Sequence, residues 1–235
     1  SEKNILKTLE PLFLSEFREE ADRLIRNKST SLKDFDNFLN DLSTHVFCDP
    51  ACGGGNFLNL TYAKLREIET DVLVEKRNRG GEFTASLDIS IDQRLSINQF
   101  YGFEINWWAA KIAETAMFLV DHQANLRLAQ ALGDAPNRLP IEIAAHIIHD
   151  NALRLDWKKA IPEPKGKTYI FGNPPFIGAR LMSKAQKAEL TDAWGNAKGV
   201  KNLDYVTGWH IKTLDLLRDR VGEFGFVTTN SIAQG

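Results

Sequence analysis

The chain has 235 residues, of which 43% are hydrophobic, so it can fill one sizeable core and an added helical piece. Its net charge of −2 at pH 7 gives no sign of nucleic-acid binding through bulk positive charge. No apolar run approaches the roughly 18 residues that cross a bilayer, and no signal-peptide pattern opens the chain. Because Cys48 and Cys52 do not make a disulfide framework, we expect a reduced, cytoplasmic protein without a membrane segment.

The first 44 residues show helical periodicity. After Pro11, which a first helical turn tolerates, apolar side chains recur at helical spacing at Phe13, Leu14, Phe17, Leu24 and Ile25. A second helix is expected to begin after Ser31, because Asp34 stands three residues on, as in a capping box. We therefore predict an N-terminal helical segment over residues 1–44, ahead of a second region over residues 45–235.

From residue 45 onward, short apolar strands alternate with helices. We predict strands at His45–Cys48, Gln99–Phe103, Ala144–His149, Thr168–Phe171 and Gly225–Thr229, with helices near 57–69, 107–130, 183–193 and 203–219. This alternation predicts an α/β fold in which helices cover both faces of a parallel sheet. The polar stretch Lys76–Ser90 is expected to be an inserted loop. Since the chain starts at Ser1 and stops soon after its last predicted strand, we expect a truncated domain that lacks the final strands.

A glycine-rich segment, Asp49-Pro50-Ala51-Cys52-Gly53-Gly54-Gly55-Asn56-Phe57, follows the first strand and opens a helix. Glycines allow the backbone to approach a ligand, and a helix N-terminus offers unpaired N–H groups. A nicotinamide dehydrogenase is disfavoured, because Leu58 occupies the third glycine position of its fingerprint and Asp49 would repel a pyrophosphate. A carboxylate at Asp49 favours a cationic ammonium or sulfonium group instead. A tight turn without a ligand is the simpler alternative.

Carboxylates also follow the next two strands. Glu104 stands where a carboxylate commonly binds the two hydroxyls of a ribose, although it could equally be an exposed carboxylate at a helix N-terminus. Asp150 could accept a hydrogen bond from the exocyclic amine of an adenine, or it could cap a turn. The order along the chain, one β-unit after another, favours the nucleoside interpretation for both.

The tetrapeptide Asn173-Pro174-Pro175-Phe176 directly follows the strand ending at Phe171. Two prolines fix φ and remove backbone donors, so this turn is stiff and its carbonyls are free to accept. An amide side chain precedes the prolines and an aromatic ring follows them. This combination of acceptors and a stacking face suits a planar base that carries an NH2 group.

Taken in order, Asp49–Gly53, Gly102–Asn106, Asp150–Leu153 and Asn173–Phe176 resemble the motifs of gamma-type N6-adenine DNA methyltransferases. Residues 204–217 and 225–235 resemble the helix and the motif that come next in that family. The resemblance covers roughly residues 45–235 and is strongest to the methyltransferase part of type IIG/IIL restriction–modification enzymes and related phage-defence methylases. It implies a Rossmann-like fold that depends on S-adenosylmethionine.

The resemblance also implies roles for individual residues. The cofactor would be bound by Asp49, Ala51, Cys52, Gly53, Gly55, Asn56, Phe57, Glu104, Ile105, Asp150, Asn151 and Ala152. Phe176 would stack on an adenine flipped out of double-stranded DNA, while Asn173 and Pro174, stiffened by Pro175, would accept the N6 hydrogens. The methyl group would be transferred directly, without a metal or a covalent nucleophile. Regions outside this chain would make most of the DNA contacts. Because the family's upstream cofactor motif is not recognisable in residues 1–44 and its motifs after Gly235 are missing, the chain alone would bind cofactor weakly and methylate poorly.

Other functions remain open at this stage. An RNA base or a protein glutamine also presents an NH2 group on a plane, although Phe176 in place of Tyr favours a base. A catalytically silent cofactor-binding or interaction module is a further alternative. The pair Trp107-Trp108 could flank a cofactor adenine or belong to the core. The basic side chains Arg180, Lys184, Lys187, Lys198 and Lys201 could be a solvated face or could contact DNA phosphates.

Overall fold

The computed structural model describes residues 1–80, 93–133, 145–195 and 197–228. Its centre is a sheet of five parallel strands: β1 (Val46–Asp49), β2 (Phe100–Glu104), β3 (His146–His149), β4 (Thr168–Gly172) and β5 (Gly222–Phe226). Their order across the sheet is β3-β2-β1-β4-β5. All five predicted strands are present, and β5 begins three residues before the predicted start at Gly225. Of the motif expected over residues 225–235, the last seven residues, 229–235, lie outside the described residues.

The N-terminal residues form α1 (Glu2–Leu9), a π-helical turn (Glu10–Leu14), α2 (Ser15–Arg26) and α3 (Leu32–Leu42). The helix therefore starts well before Pro11, which lies inside the π turn rather than in a first turn. Proline removes an interior hydrogen bond and crowds the preceding turn, and a wider turn accommodates it. The capping box at the start of α3 is confirmed, since Ser31 and Asp34 each bond the other's backbone N–H.

Helices cover both faces of the sheet. One face packs on α1, α2 and α3 together with α4 (Asn56–Gly80) and α5 (Trp107–Leu132). Phe13 of the π turn contacts the rings of Phe47 in β1 and Tyr169 in β4, with centroids 5.4 and 4.8 Å apart. The other face packs on α6 (Trp157–Ala160), α7 (Lys184–Ala193) and α8 (Thr207–Leu217). Among the described residues, no helix is long and apolar enough to cross a membrane.

The prediction of a loop at Lys76–Ser90 is wrong for its first residues, because α4 stays helical through Gly80. The physical reason lies in tertiary contacts. The Arg79 guanidinium donates hydrogen bonds to the carbonyls of Ile25 (2.6 Å) and Asn27 (2.8 Å), and Lys76 pairs with Asp36 at 2.7 Å. These bonds hold the polar end of α4 against α2 and α3. The rest of the predicted loop, residues 81–90, lies outside the described residues.

A buried polar network joins α4 to α5. The Arg66 guanidinium donates to the Tyr62 hydroxyl (2.7 Å) and Asn125 (2.9 Å), and its charge is paired with Glu69 and Asp121. All five side chains are buried. Because buried charges must be paired and hydrogen-bonded, this network fixes how the two helices pack. The N-termini of α4 and α5 follow two of the segments that carry the candidate site.

Candidate functional site

Four predicted polar residues lie at the carboxyl edge of the sheet. Asp49 ends β1, Glu104 ends β2, Asp150 follows β3, and Asn173 follows β4. The chain leaves β1 toward β2 on one side and later returns to β4 on its other side. Such a switch in direction opens a crevice at the strand ends, which is where open α/β sheets bind ligands. The structure therefore brings the predicted motifs to one edge.

The glycine loop between β1 and α4 depends on two positive φ angles, 53° at Gly53 and 84° at Gly55. A Cβ atom added to Gly55 would lie 3.2 Å from the Ala113 Cα of α5, so only glycine lets the two helices approach so closely. No atom lies within 4 Å of a Cβ placed on Gly53. The Cys52 N–H donates to the Phe103 carbonyl at 3.0 Å, which ties the loop to the end of β2.

Asp49 lies beneath this loop and is 1% exposed. Its Oδ1 accepts the Ala51 N–H at 3.0 Å. Burial raises the pKa of the Asp49 carboxyl to about 7, and the charge of Glu104 adds to the increase. Gly172, at φ 146°, packs so closely that a Cβ there would collide with Asp49 Oδ1. The carboxyl is therefore held in a dry, tightly packed position at the base of the crevice.

Glu104 organises the loops on either side of it. Its Oε2 accepts the Gly53 N–H at 2.9 Å, and its Oε1 accepts the Asn106 N–H at 2.7 Å. The N-terminus of α5 is capped by Asn106, whose side chain accepts the N–H groups of Trp108 and Ala109, and not by Glu104. Each carboxylate oxygen of Glu104 retains a further lone pair for a ligand.

The segment after β3 is fixed by its own hydrogen bonds and by β2. The Asp150 N–H donates to the Glu104 carbonyl at 3.1 Å, and Asp150 Oδ1 accepts the Asn151 N–H at 2.7 Å. Asn151 Oδ1 in turn accepts the Leu153 N–H at 3.0 Å. Asp150 is exposed, whereas Ala152 is buried. Asp150 thus does cap a turn through Oδ1, as the alternative interpretation expected, and its Oδ2 remains available to a ligand.

The tetrapeptide at 173–176 follows β4 with Pro174 buried and its other three residues exposed; the Phe176 ring is 41% exposed. The chain is held immediately afterwards, where the Ile177 N–H donates to Asp204 Oδ1 (3.1 Å) and the Ile177 carbonyl accepts the Tyr205 N–H (3.0 Å). An exposed aromatic ring on a segment fixed at both ends is pre-organised for stacking.

These segments surround a cavity of about 360 Å³. Predicted residues that line it are Ala51, Glu104, Ile105, Asp150, Asn151, Ala152, Asn173 and Pro175. Predicted residues outside its lining are Asp49, Cys52, Gly53, Gly55, Asn56, Phe57, Pro174 and Phe176. Asp49, Cys52, Gly55 and Phe57 are buried, whereas Asn56 is the exposed first residue of α4. Cys48 and Cys52 are free, buried thiols.

The sequence missed four residues of the lining that follow the tetrapeptide: Ile177, Gln186, Tyr205 and Trp209. Trp209 also donates its indole N–H to the Pro50 carbonyl at 2.9 Å, so α8 is bonded to the glycine loop. The i, i+4 spacing of Tyr205 and Trp209 was the available signal, because it places two aromatic rings on one side of the helix start.

Residues 24–235 match the family model described as "MmeI, DNA-methyltransferase domain". The chain belongs to this family. It is 31% identical over 237 residues to DNA methyltransferase A of Bacillus subtilis (strain 168), covering 99% of this chain and 26% of that relative. A solved structure of the type IIL restriction–modification enzyme MmeI in complex with DNA superposes with a TM-score of 0.89 at 37% identity. That match covers 100% of this chain and 30% of the other, so the chain spans less than a third of either relative.

The match to MmeI confirms the family and the Rossmann-like fold expected from the motifs.

On the surface of this MmeI-type domain, Trp107 and Trp108 are 48% and 70% exposed, so the core alternative for this pair is wrong. The five basic residues at 180, 184, 187, 198 and 201 are all exposed. Within the described residues, no group of three or more His, Cys, Asp or Glu side chains could hold a metal ion.

Proposed function

We propose that this MmeI-type domain transfers a methyl group from S-adenosylmethionine to the N6 amine of an adenine in DNA. The observation that carries the proposal is that Asn173 and Pro175 line the same cavity as Glu104 and Asp150. The residues that we propose for the amine and those that we propose for the nucleoside therefore line one space. The names of the relatives support DNA as the substrate, since one is a DNA methyltransferase and MmeI was solved in complex with DNA.

The cavity fits the adenosine part of the cofactor. Its volume of about 360 Å³ is in the range of small-molecule sites, and Phe103, Ile105 and Ala152 give it apolar walls. Glu104 has lone pairs left for the ribose hydroxyls, and Asp150 Oδ2 for the adenine amine. When bound, S-adenosylmethionine supplies an electrophilic methyl group on a sulfonium centre. The negative field of Asp49 and Glu104 favours its cationic end, and the space beside Gly53 is open to it.

The tetrapeptide would hold the target amine. The Asn173 side-chain oxygen and the Pro174 carbonyl accept its two hydrogens, which draws the nitrogen lone pair out of ring conjugation and directs it at the methyl group. Phe176 stacks on the base, a contact worth about 1–3 kcal/mol. Because these groups bind and orient without forming covalent bonds, the domain acts through positioning and local electrostatics.

The target adenine would have to leave the duplex to reach this cavity, as enzymes that modify a base require. We propose that double-stranded DNA is bound chiefly by regions of the longer protein, with the exposed lysines near residues 184–201 touching phosphates. In this proposal residues 1–44 are a helical segment attached to a methyltransferase domain of residues 45–235. The protein would act in the cytoplasm in restriction–modification or phage defence.

Calorimetry with S-adenosylmethionine tests the cofactor assignment. The full-length protein should bind it, and Glu104→Ala should weaken binding about tenfold or more, since a bond between a charged group and its partner is lost. Glu163→Ala, at an exposed residue away from the cavity, should bind as the wild type does. Heat from NAD with none from S-adenosylmethionine would contradict the proposal.

A further inference from the structure

A carboxylate stands behind the wall of the cavity without lining it. Glu189 lies on α7, and its side chain is 11% exposed. Its Oε1 accepts hydrogen bonds from the Asn151 amide (3.0 Å) and the Arg154 guanidinium (2.7 Å). Its Oε2 accepts the Tyr205 hydroxyl at 2.6 Å. Three donors from two different segments therefore converge on one side chain.

The first of these segments is the wall proposed for the cofactor adenine. Asn151 lines the cavity beside Asp150, and both ends of its amide are bonded, Oδ1 to the Leu153 N–H and Nδ2 to Glu189. Arg154 reaches Glu189 from the same turn. With both amide ends fixed, the Asn151 side chain has one orientation, and the backbone that presents Asp150 is fixed with it.

The second segment follows the tetrapeptide. Tyr205 lines the cavity, its hydroxyl is bonded to Glu189, and its backbone N–H donates to the carbonyl of Ile177, the residue after Phe176. A continuous chain of hydrogen bonds thus runs from Asn151 through Glu189 and Tyr205 to the base-binding turn. Hydrogen bonds to a carboxylate are stronger than those between neutral groups, so this connection is stiff.

We propose that Glu189 is a positioning residue, which holds the wall for the cofactor adenine and the turn for the target base in a fixed relation. The proposal rests on the proposed function, because it assumes that S-adenosylmethionine occupies the cavity. Glu189 acts through Asn151 and Tyr205 and does not touch the cofactor. Its loss should therefore weaken cofactor binding through Asn151, beyond any general effect on folding.

The test measures the dissociation constant of S-adenosylmethionine by calorimetry in the full-length protein. Glu189→Ala should raise this constant about tenfold, the size expected when the charged partner of such bonds is removed. Glu189→Gln should stay within about threefold of wild type, because its oxygen can still accept from Asn151 and Arg154 while its NH2 donates to the Tyr205 oxygen. Asp192→Ala removes an exposed carboxylate from the same helix and should have no effect.

A double-mutant cycle separates positioning from a general structural role. If Glu189 acts through Asn151, the combined Glu189→Ala and Asn151→Ala protein should bind little more weakly than either single variant. The proposal would be overturned if the two losses of affinity multiply in the double variant, or if the Glu189→Ala protein binds S-adenosylmethionine as the wild type does. Should Glu189→Ala fail to fold, Glu189→Asp serves instead, since its shorter side chain cannot reach both segments and should also weaken binding. Failure of the wild-type protein to bind would instead contradict the proposed function.

Discussion

Replacing Asp49 by asparagine should make the ligand-free protein more stable at neutral pH. Asp49→Asn keeps the shape of the side chain and an oxygen that can accept the Ala51 N–H, but it removes the ionisable group. The carboxyl is 1% exposed, and burial raises its pKa from the ordinary 3.8 to about 7. At pH 8 the wild-type protein must therefore hold a charge in a dry position.

The size of the effect follows from the pKa. A rise of about 3 pKa units at about 1.4 kcal/mol each corresponds to about 4 kcal/mol of folding free energy. Because the folded protein holds the Asp49 proton to higher pH than the unfolded chain does, wild-type stability should fall as the pH rises from about 4 to about 7, and this contribution then stays constant. The advantage of Asp49→Asn should accordingly be near zero at pH 4 and reach up to about 4 kcal/mol at pH 8.

Urea unfolding of both proteins at a series of pH values measures this difference, and pH effects from other groups cancel in the comparison. Asp192→Asn, a change at an exposed carboxyl of α7, is the matched control and should give a difference independent of pH. The reasoning is refuted if Asp49→Asn is less stable than wild type at pH 8, or if its advantage does not change with pH.

Three further predictions concern ligands and the loop. Affinity for S-adenosylmethionine, measured by calorimetry, should fall about tenfold per pH unit below 7, because Asp49 must lose its proton to face a cation. Equal affinities at pH 8 and pH 6 would contradict this prediction. Phe176→Ala should slow DNA methylation about 10- to 100-fold, since stacking of the ring on the base is worth about 1–3 kcal/mol. Because the ring is 41% exposed, urea unfolding should change little. Unchanged methylation would count against stacking. Gly55→Ala should destabilise by about 1–3 kcal/mol in urea, because φ is 84° and the new Cβ meets Ala113, whereas Gly54→Ala should change stability little.

The arrangement of the sheet could be predicted because short apolar runs and the residues at their ends are local signals. Glu104, Asp150 and Asn173 each follow a run of strand-forming residues, and parallel strands bring their carboxyl ends to one edge. Their shared cavity follows from that topology alone. The same reasoning placed Asp49 at the edge but not beneath the loop. Its burial depends on the close packing of Gly172 from β4, which pairs with β1 but lies more than a hundred residues later in the chain.

The remaining features depend on long-range contacts that no local pattern encodes. The extension of α4 to Gly80 depends on Arg79 meeting carbonyls about fifty residues earlier in the chain. The bond between Trp209 and Pro50 spans 159 residues, and Glu189 joins two segments, one that precedes α7 in the chain and one that follows it. A helix pattern can predict α7, but it cannot say which of its polar side chains is bonded behind the cavity.

The most direct test of the proposed reaction is methylation of plasmid DNA by the full-length protein, followed by analysis of the nucleosides by mass spectrometry. We expect N6-methyladenine with the wild-type protein and its loss in Asn173→Ala, because the side-chain acceptor for the target amine is gone. Asn202→Ala, at an exposed asparagine outside the cavity, should methylate as the wild type does. Unmodified adenine in the DNA, together with methylated RNA or protein, would contradict the account.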